Sequence, residues 1–436
     1  MGFALREQTA PLIFTSSRDD TKLIIEGGRP LEGVVEVSGS KNATMGAMAA
    51  ALLVTEDCYL ENVPAIGDVG HMAEVLRSLG VIVEPTSEHG LRLNAANLTQ
   101  SSPPTELVGS LRASFLVMGA LLARLGAAGC SPPGGDVIGQ RPIDVHLAGF
   151  EAMGARVSRE GEKYVAETAG LRGARVFADY PSVLGTQNLM LAAATATGTT
   201  VIVNAAAEPE VQSLAALLNA MGARISGAGS HTITIEGVER LRGITHRIIP
   251  DRLEAGTFAI AAAITRGRVE IRGVELDHLF SLIAKMRESG VTVEEDGDKL
   301  RAWCDGDLRA VTVQALPYPG LATDLQAPMA VLLTQARGVS YVHERVFDNR
   351  LLYVGELRKM GAEVVTTGTT TAIISGPTPL IGSSVRALDV RAGAALILAG
   401  LAASGRTEVA DVYHVDRGYE RIGEKLGRLG AAIQRV

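Results

Sequence analysis

The chain has 436 residues, too many for one ordinary hydrophobic core, and this length predicts two large domains. Its net charge of −7 argues against a general nucleic-acid or anionic-membrane surface, while a local cluster of Lys and Arg can still oppose the global sign. No run of about 18 residues is free of charge or Gly, so no membrane span is expected, and the three scattered cysteines (Cys58, Cys130 and Cys304) suggest reduced cytoplasmic thiols rather than a disulfide frame or a zinc site.

Residues 1–20 lack an apolar signal core and read as a disordered lead-in. Two strand-like runs follow at 22–26 and 33–38, with Gly and Pro between them. An Ala-rich stretch then begins near Lys41, apolar on nearly all sides and therefore a buried helix. The segment Ser38-Gly39-Ser40-Lys41-Asn42 at its start offers unpaired N–H groups and a full charge to an anion. The plainer reading is a capped helix with a solvated Lys. An amphipathic second helix around 72–77 ends at Gly80, and an alternating strand follows.

This cycle occurs six times. The helix-ending glycines are Gly80, Gly154, Gly222, Gly290, Gly361 and Gly430, spaced 68 to 74 residues apart. Each fits a left-handed C-cap, a conformation that Gly adopts cheaply. Ala-rich stretches recur in phase near Arg112, Gly185, Glu254, Asp324 and Arg391. Each unit reads as buried helix, strand, second helix, strand, strand, a repeat too long for the usual solenoids. The last unit, 391–436, is about two strands short, and the runs within 22–40 are expected to supply the missing pair.

Further motifs lie at the unit starts and in one loop. Arg112 opens the second unit and reads as either an anion contact or a surface Arg. The Gly- and Pro-rich loop 132–142 carries Asp136 and Arg141, and reads as either a mobile catalytic loop or a surface turn. Its Val137 and Ile138 suggest that it closes onto something. Thr323-Asp324 is a helix cap or, if a substrate hydroxyl reaches it, a general base. Arg391 opens the sixth helix after Asp389, which serves as its ion-pair partner in the plain reading. Arg417, in the polar stretch 413–421, is either a clamp for a carboxylate or phosphate or part of a solvated network. The sequence contains no Walker loop, dinucleotide fingerprint, zinc pattern or Ser-His-Asp order.

Together these motifs resemble the UDP-N-acetylglucosamine 1-carboxyvinyltransferases over residues 22–436. The most specific pieces are Ser38-Gly39-Ser40-Lys41-Asn42, the loop 133–142 and the stretch 413–421. Asn204-Ala205-Ala206 with Glu208-Pro209-Glu210, Pro250-Asp251-Arg252, Thr323-Asp324, and Val346-Phe347-Asp348-Asn349-Arg350 also match. The resemblance implies an α/β fold, a two-domain inside-out α/β barrel of six βαβαββ-type units, three per domain. Residues 1–40 would be lead-in and strands joining the C-terminal domain, 41–249 the first domain and 250–436 the second.

The resemblance also implies a cytoplasmic enzyme that moves the enolpyruvyl group of phosphoenolpyruvate to UDP-N-acetylglucosamine in peptidoglycan synthesis, with no cofactor or metal. Lys41, Arg112, Arg141 and Arg417 would hold phosphoenolpyruvate, with Asp136 on the loop and Asp324 as base forming the catalytic set with Lys41 and Arg417. Asn42, Arg112, Arg141, Pro142, Ile143, Asp144, Val145, Ser182, Val183, Asp324, Val346 and Phe347 would contact the nucleotide sugar. Asp389 and Arg391 would support the reacting carbon.

Four positions depart from the family pattern. Asp136 stands where the loop usually has the Cys that the epoxide antibiotic fosfomycin alkylates. Leu184, Ala207 and Gly70 stand where Gly, Arg and an acid are usual. Leu184 and Ala207 favour, as a second reading, a paralogue that enolpyruvylates another uridine nucleotide or nucleotide sugar. A third reading is a catalytically silent ligand-binding relative, against which the joint presence of Lys41, Asp136, Arg141, Asp324 and Arg417 speaks.

Overall fold

Six Ala-rich segments fold as helices where the sequence places them. In the computed structural model, which describes residues 20–136, 138–139 and 141–436, these are Lys41–Ala50, Val117–Leu125, Val183–Ala193, Arg252–Ile264, Gln326–Leu333 and Val390–Ala402. All but one residue of the lead-in, and Val137 of the loop, lie outside the described residues. Four of the helices are capped by the side chain before them. Ser40 accepts from Ala43 N, Ser182 from Gly185 N, Asp251 from Leu253 and Glu254 N, and Asp389 from Arg391 and Ala392 N. Each such cap is worth about 1 kcal/mol.

Small residues let these helices approach closely. A Cβ on Gly119 would stand 2.2 Å from the Asn188 carbonyl oxygen of the neighbouring helix. Asn188 spans that contact, its Oδ1 accepting from Gly119 N at 2.7 Å and its Nδ2 donating to Phe115 O at 2.9 Å. All six helix-ending glycines have positive φ, from 88° to 111°. That confirms the C-caps and fixes the repeat in the backbone itself.

The strands form six separate sheets, five of four strands and one of three. In the four-stranded sheets a parallel pair joins an antiparallel pair. Arg175–Phe177, for example, runs parallel to Thr199–Val203, which is followed by Thr232–Glu236 and Arg224–Ser226. Burial alternates along the strands, so each sheet turns one face to the helices and one to solvent. Helices inside and sheets outside, in six repeated units, are the expected fold, although the second unit's sheet has three strands where the βαβαββ pattern has four. The buried apolar side chains gather in two clusters. One spans 43–248, and the other joins 23–35 to 253–429. They are called below the first and second halves.

One expectation is corrected. The two N-terminal runs do not both complete the last unit. Leu23–Glu26 does, lying between Arg406–Ala410 and Ala432–Arg435. Glu32–Glu36 instead runs parallel to Arg268–Arg272 in the fourth unit's sheet. The fourth unit begins directly at its helix and lacks its own first strand. The strand that precedes it in sequence, Thr245–Arg247, pairs back with Cys58–Glu61 of the first unit. The chain thus crosses between halves twice, and the crossings lie side by side. Ser40 N donates to Ile249 O at 2.7 Å and Asp251 N to Ser38 O at 2.9 Å.

Candidate active site

The N-terminal ends of the six buried helices, or the short turns leading into them, line one cleft of about 480 Å³ between the halves. Lys41, Arg112, Val183, Arg252, Asp324 and Arg391, one from each unit, line it. A helix N-terminus carries partial positive charge and free N–H groups, so six of them converging favour a multiply charged anion. The side chains add to this. Seven cations line the cleft (Lys41, Arg112, Arg141, Arg252, Arg350, Arg391 and Arg417) against five carboxylates (Asp68, Asp136, Glu208, Glu210 and Asp324). The local sign is therefore opposite to that of the chain.

Two ion clusters organise these charges. In the first, Asp68 takes Lys41 Nζ at 3.1 Å and Arg417 Nε at 2.9 Å, and Asp136 takes Arg417 Nη1 at 2.7 Å. Burial works to raise the Asp68 carboxyl, but Lys41 and Arg417 outweigh it and hold it below the usual range. In the second, Asp324 takes Arg350 Nη2 and Arg391 Nε, each at 2.8 Å. Burial again opposes ionisation, and Arg350, Arg391 and Lys41 hold Asp324 well below the usual carboxylate range.

The cap reading of Asp324 does not survive. No side chain caps the short turn Thr323–Leu325, and the carboxylate turns to the arginines instead. Thr323 bonds Arg350 and Glu344, and Glu344 accepts from Val346 and Phe347 N, which ties that segment to the cleft wall.

Arg391 is 2% exposed, and its Nη1 and Nη2 have no hydrogen-bond partner among the described residues. The Tyr419 ring lies 5.0 Å away, and its hydroxyl, which pairs with Thr257 at 2.8 Å, also interacts with the Arg391 guanidinium. A buried guanidinium on a cleft wall, whose Nη groups make no close hydrogen bond, suits a carboxylate or phosphate.

Among the described residues, Arg112 and Arg141 donate only to main-chain carbonyls. Arg112 reaches Arg141 O and Pro142 O, and Arg141 reaches Asp136 O at 2.7 Å. Burial, then the nearby Arg141 charge, push Arg112 down to about 10. Loop residue Ile138 is 5% exposed and lines the cleft, as a loop closing over a ligand would place it.

Of the residues singled out by sequence, Lys41, Asn42, Arg112, Asp136, Arg141, Pro142, Ser182, Val183, Asp324, Val346, Phe347, Arg391 and Arg417 line the cleft. Ile143, Asp144 and Val145 do not. They sit behind Pro142 at the start of Asp144–Ala152, and Asp144 accepts from the Tyr180 hydroxyl at 3.0 Å. Asp389 is not on the wall either, because its carboxylate caps Val390–Ala402. It makes no salt bridge with Arg391, only the cap to its main-chain N–H.

Sequence reasoning missed Asp68, the centre of the first cluster, and gave no role to Arg252, Glu210, Glu208 or Arg350. Glu210 takes Arg252 at 3.1 and 3.2 Å, and Glu208 accepts from Tyr318 N at 3.2 Å. Burial pushes the Glu208 carboxyl up despite that N–H.

The fold and this cationic cleft define an enolpyruvyl transferase. The sequence model of the EPSP synthase (3-phosphoshikimate 1-carboxyvinyltransferase) family matches residues 25–426. The enolpyruvyl transferase NikO from Streptomyces tendae superposes with a TM-score of 0.87 at 26% identity, over 96% of this chain and 99% of that one. EPSP synthase from Acinetobacter baumannii, at 19% identity and a TM-score of 0.73 over 96% of this chain and 100% of that one, shares the fold.

Within that class the chain belongs to the UDP-N-acetylglucosamine 1-carboxyvinyltransferases. The enzyme so named from Caldanaerobacter subterraneus subsp. tengcongensis is 48% identical, over 95% of this chain and 99% of its own. Another from Carboxydothermus hydrogenoformans is 49% identical over the same shares.

Proposed function

We infer that this chain transfers the enolpyruvyl group of phosphoenolpyruvate to the 3-hydroxyl of UDP-N-acetylglucosamine, releasing phosphate, in the cytoplasmic part of peptidoglycan synthesis. The observation that carries this reading is the buried Arg391 fork, whose Nη groups make no close hydrogen bond, in a cleft of net positive charge. Phosphoenolpyruvate brings a carboxylate and a phosphate on three carbons, and few other arrangements neutralise both. Lys41, Arg141, Arg417 and Arg391 are its contacts in this reading, with Arg112 adding charge. Asn42, Ser182, Val183, Val346 and Phe347 face the nucleotide sugar.

The sugar hydroxyl adds to C2 of phosphoenolpyruvate while C3 gains a proton. The tetrahedral intermediate then loses phosphate, and the new methyl group gives a proton back. Asp324 takes the hydroxyl proton. Its pairing with two arginines makes it a weak base in the empty site. Substrate anions on Arg391 share that positive charge and raise the Asp324 carboxyl toward a useful range. Asp136 serves the protons at C3. The halves 41–249 and 250–436 act as domains, with 1–40 joined to the second, and they close on the nucleotide sugar before the chemistry. Closure excludes water and strengthens every charged contact.

Leu184 favours a second acceptor as the other reading. It lines the cleft beside Ser182 and Val183, where a smaller residue would let a diphosphate approach the backbone. Incubating pure protein with phosphoenolpyruvate and a panel of uridine nucleotides, and measuring phosphate release, decides the matter. Release with UDP-N-acetylglucosamine alone supports the first reading. Release only with another nucleotide supports the second, and no release with any supports a silent relative.

A further inference from the structure

The stretch after Tyr413–Asp416 crosses from the cleft to the back of the molecule within five residues, 417–421. Its contacts with the first turn of helix Gly67–Ser78 and with the loop before it run in register. Arg417 meets Asp68 twice, through Nε to Oδ1 at 2.9 Å and through its carbonyl from Asp68 N at 3.4 Å. Three residues on, Glu420 Oε2 accepts from Ala65 N, three residues back, at 3.3 Å. The second half thus docks on the first at two points of equal spacing, one in the cleft and one behind it.

There is little slack between the two points. A Cβ on Gly418 would stand 2.6 Å from Val390 Cγ1 and 3.7 Å from Lys41 Nζ, so the backbone is pressed against the cleft floor. Tyr419 is 2% exposed and held by Thr257. The Glu420 side chain is 3% exposed, with Oε1 at 3.2 Å from Arg421 Nη2 and 3.8 Å from His89 Nδ1. Arg421 sits at φ 46°, a left-handed conformation rare for a side-chain residue, and pairs with Glu88 of the first half.

We propose that Glu420 is a positioning residue whose bond to Ala65 N holds Arg417 in place against Asp68 and the cleft. The proposal rests on the reading of Arg417 as a phosphoenolpyruvate contact. Glu420 touches no substrate. It acts by fixing the backbone from which Arg417 reaches, and small displacements of such a group are costly.

The test is a double-variant cycle with steady-state kinetics and nucleotide-sugar binding. Glu420→Ala is expected to lower kcat/KM for phosphoenolpyruvate about tenfold or more, with UDP-N-acetylglucosamine affinity changed less than about twofold. Glu420→Gln keeps an acceptor for Ala65 N and restores most of the loss. Added to Arg417→Ala, Glu420→Ala has little further effect, because the group it positions is gone. Should Glu420→Ala not fold, Glu420→Met carries the same expectation. Additive losses in the double variant, a Gln variant as weak as Ala, or an equal loss of nucleotide-sugar affinity would each overturn the proposal. If Arg417→Ala lowers kcat/KM and Glu420→Ala does not, the positioning role of Glu420 alone fails. If Arg417→Ala leaves it unchanged, the reading of the cleft fails with it.

Discussion

Asp68 and Glu210 hold the same place in their units, each 12 residues before the helix-ending glycine, Gly80 or Gly222. Both sit in the first turn of a second helix, both side chains are 3% exposed, and each pairs with an arginine from the opposite half. Asp68 takes Arg417 and Glu210 takes Arg252. The repeat has thus placed two equivalent acids on the first half's wall of the cleft, where each pairs across it with an arginine of the second half.

Replacing Asp68 by Asn tests the first of these. Lys41 and Arg417 would lose their shared counter-ion, although Arg417 keeps Asp136. Removing one partner from a buried pair costs about 3–5 kcal/mol, and the remaining acid places this site at the lower end. Added phosphate should restore part of the loss by taking the vacated charge. Urea melts with and without phosphate measure both effects, and a variant as stable as the wild type removes Asp68 from the account.

Asp324→Asn separates chemistry from structure. Turnover should fall by about 10² or more if the carboxylate is the base. Arg350 and Arg391 also lose their partner, so the melting temperature should drop as well. Measured well below that temperature, near-normal turnover would reject the catalytic role while leaving the structural one.

The same two acids set the acid limb of stability. Asp68 and Asp324 both have folded-state values held below those of the unfolded chain. Their contribution is full above the ordinary carboxylate value of about 4, and it is lost as pH falls below that. Glu208, Glu254 and Glu344 are shifted upward by burial, so they act in the opposite sense and cost stability as pH rises through their raised values. Denaturant melts at acidic pH should show a shallower fall for Asp324→Asn than for the wild type. Equal slopes would mean that the arginines do not depress Asp324.

Asp136 predicts a drug phenotype. A carboxylate is a poor nucleophile where a thiolate is a strong one, so fosfomycin should not inactivate this enzyme covalently. Asp136→Cys should retain some turnover and gain sensitivity, and Asp136→Ala should lose most turnover. Cys130 is no substitute target, since it is fully buried and burial pushes its thiol up to about 12. Mass spectrometry after treatment with drug and nucleotide sugar is the check. A stoichiometric adduct on the wild-type chain counts against the argument.

Much of the site was legible because its residues sit at unit boundaries. Lys41 and Arg391 lie in the first turn of a buried helix and Arg112 and Asp324 in the short turn leading into one, and the helix pattern marked those openings. Asp68 left no such mark. It lies inside an amphipathic second helix, where an acid in the first turn is ordinary, and only its neighbours give it meaning. Arg350 and Arg252 fall within motifs that match the family, yet the sequence assigns them no role, since an arginine's partner is not written beside it.

By itself the sequence determined what depends on near neighbours. The six glycines at positive φ, the Ser and Asp caps, and the apolar faces of the buried helices are local properties of backbone sterics and periodicity. Tertiary structure alone decided which partner each strand and charge would take. Any exposed strand edge offers the same row of N–H and C=O groups, so Glu32–Glu36 and Thr245–Arg247 could be placed only once both halves had packed. Ion pairs between residues hundreds of positions apart, such as Arg417 with Asp68, likewise exist only where packing brings the two side chains together and excludes the water that would otherwise screen them.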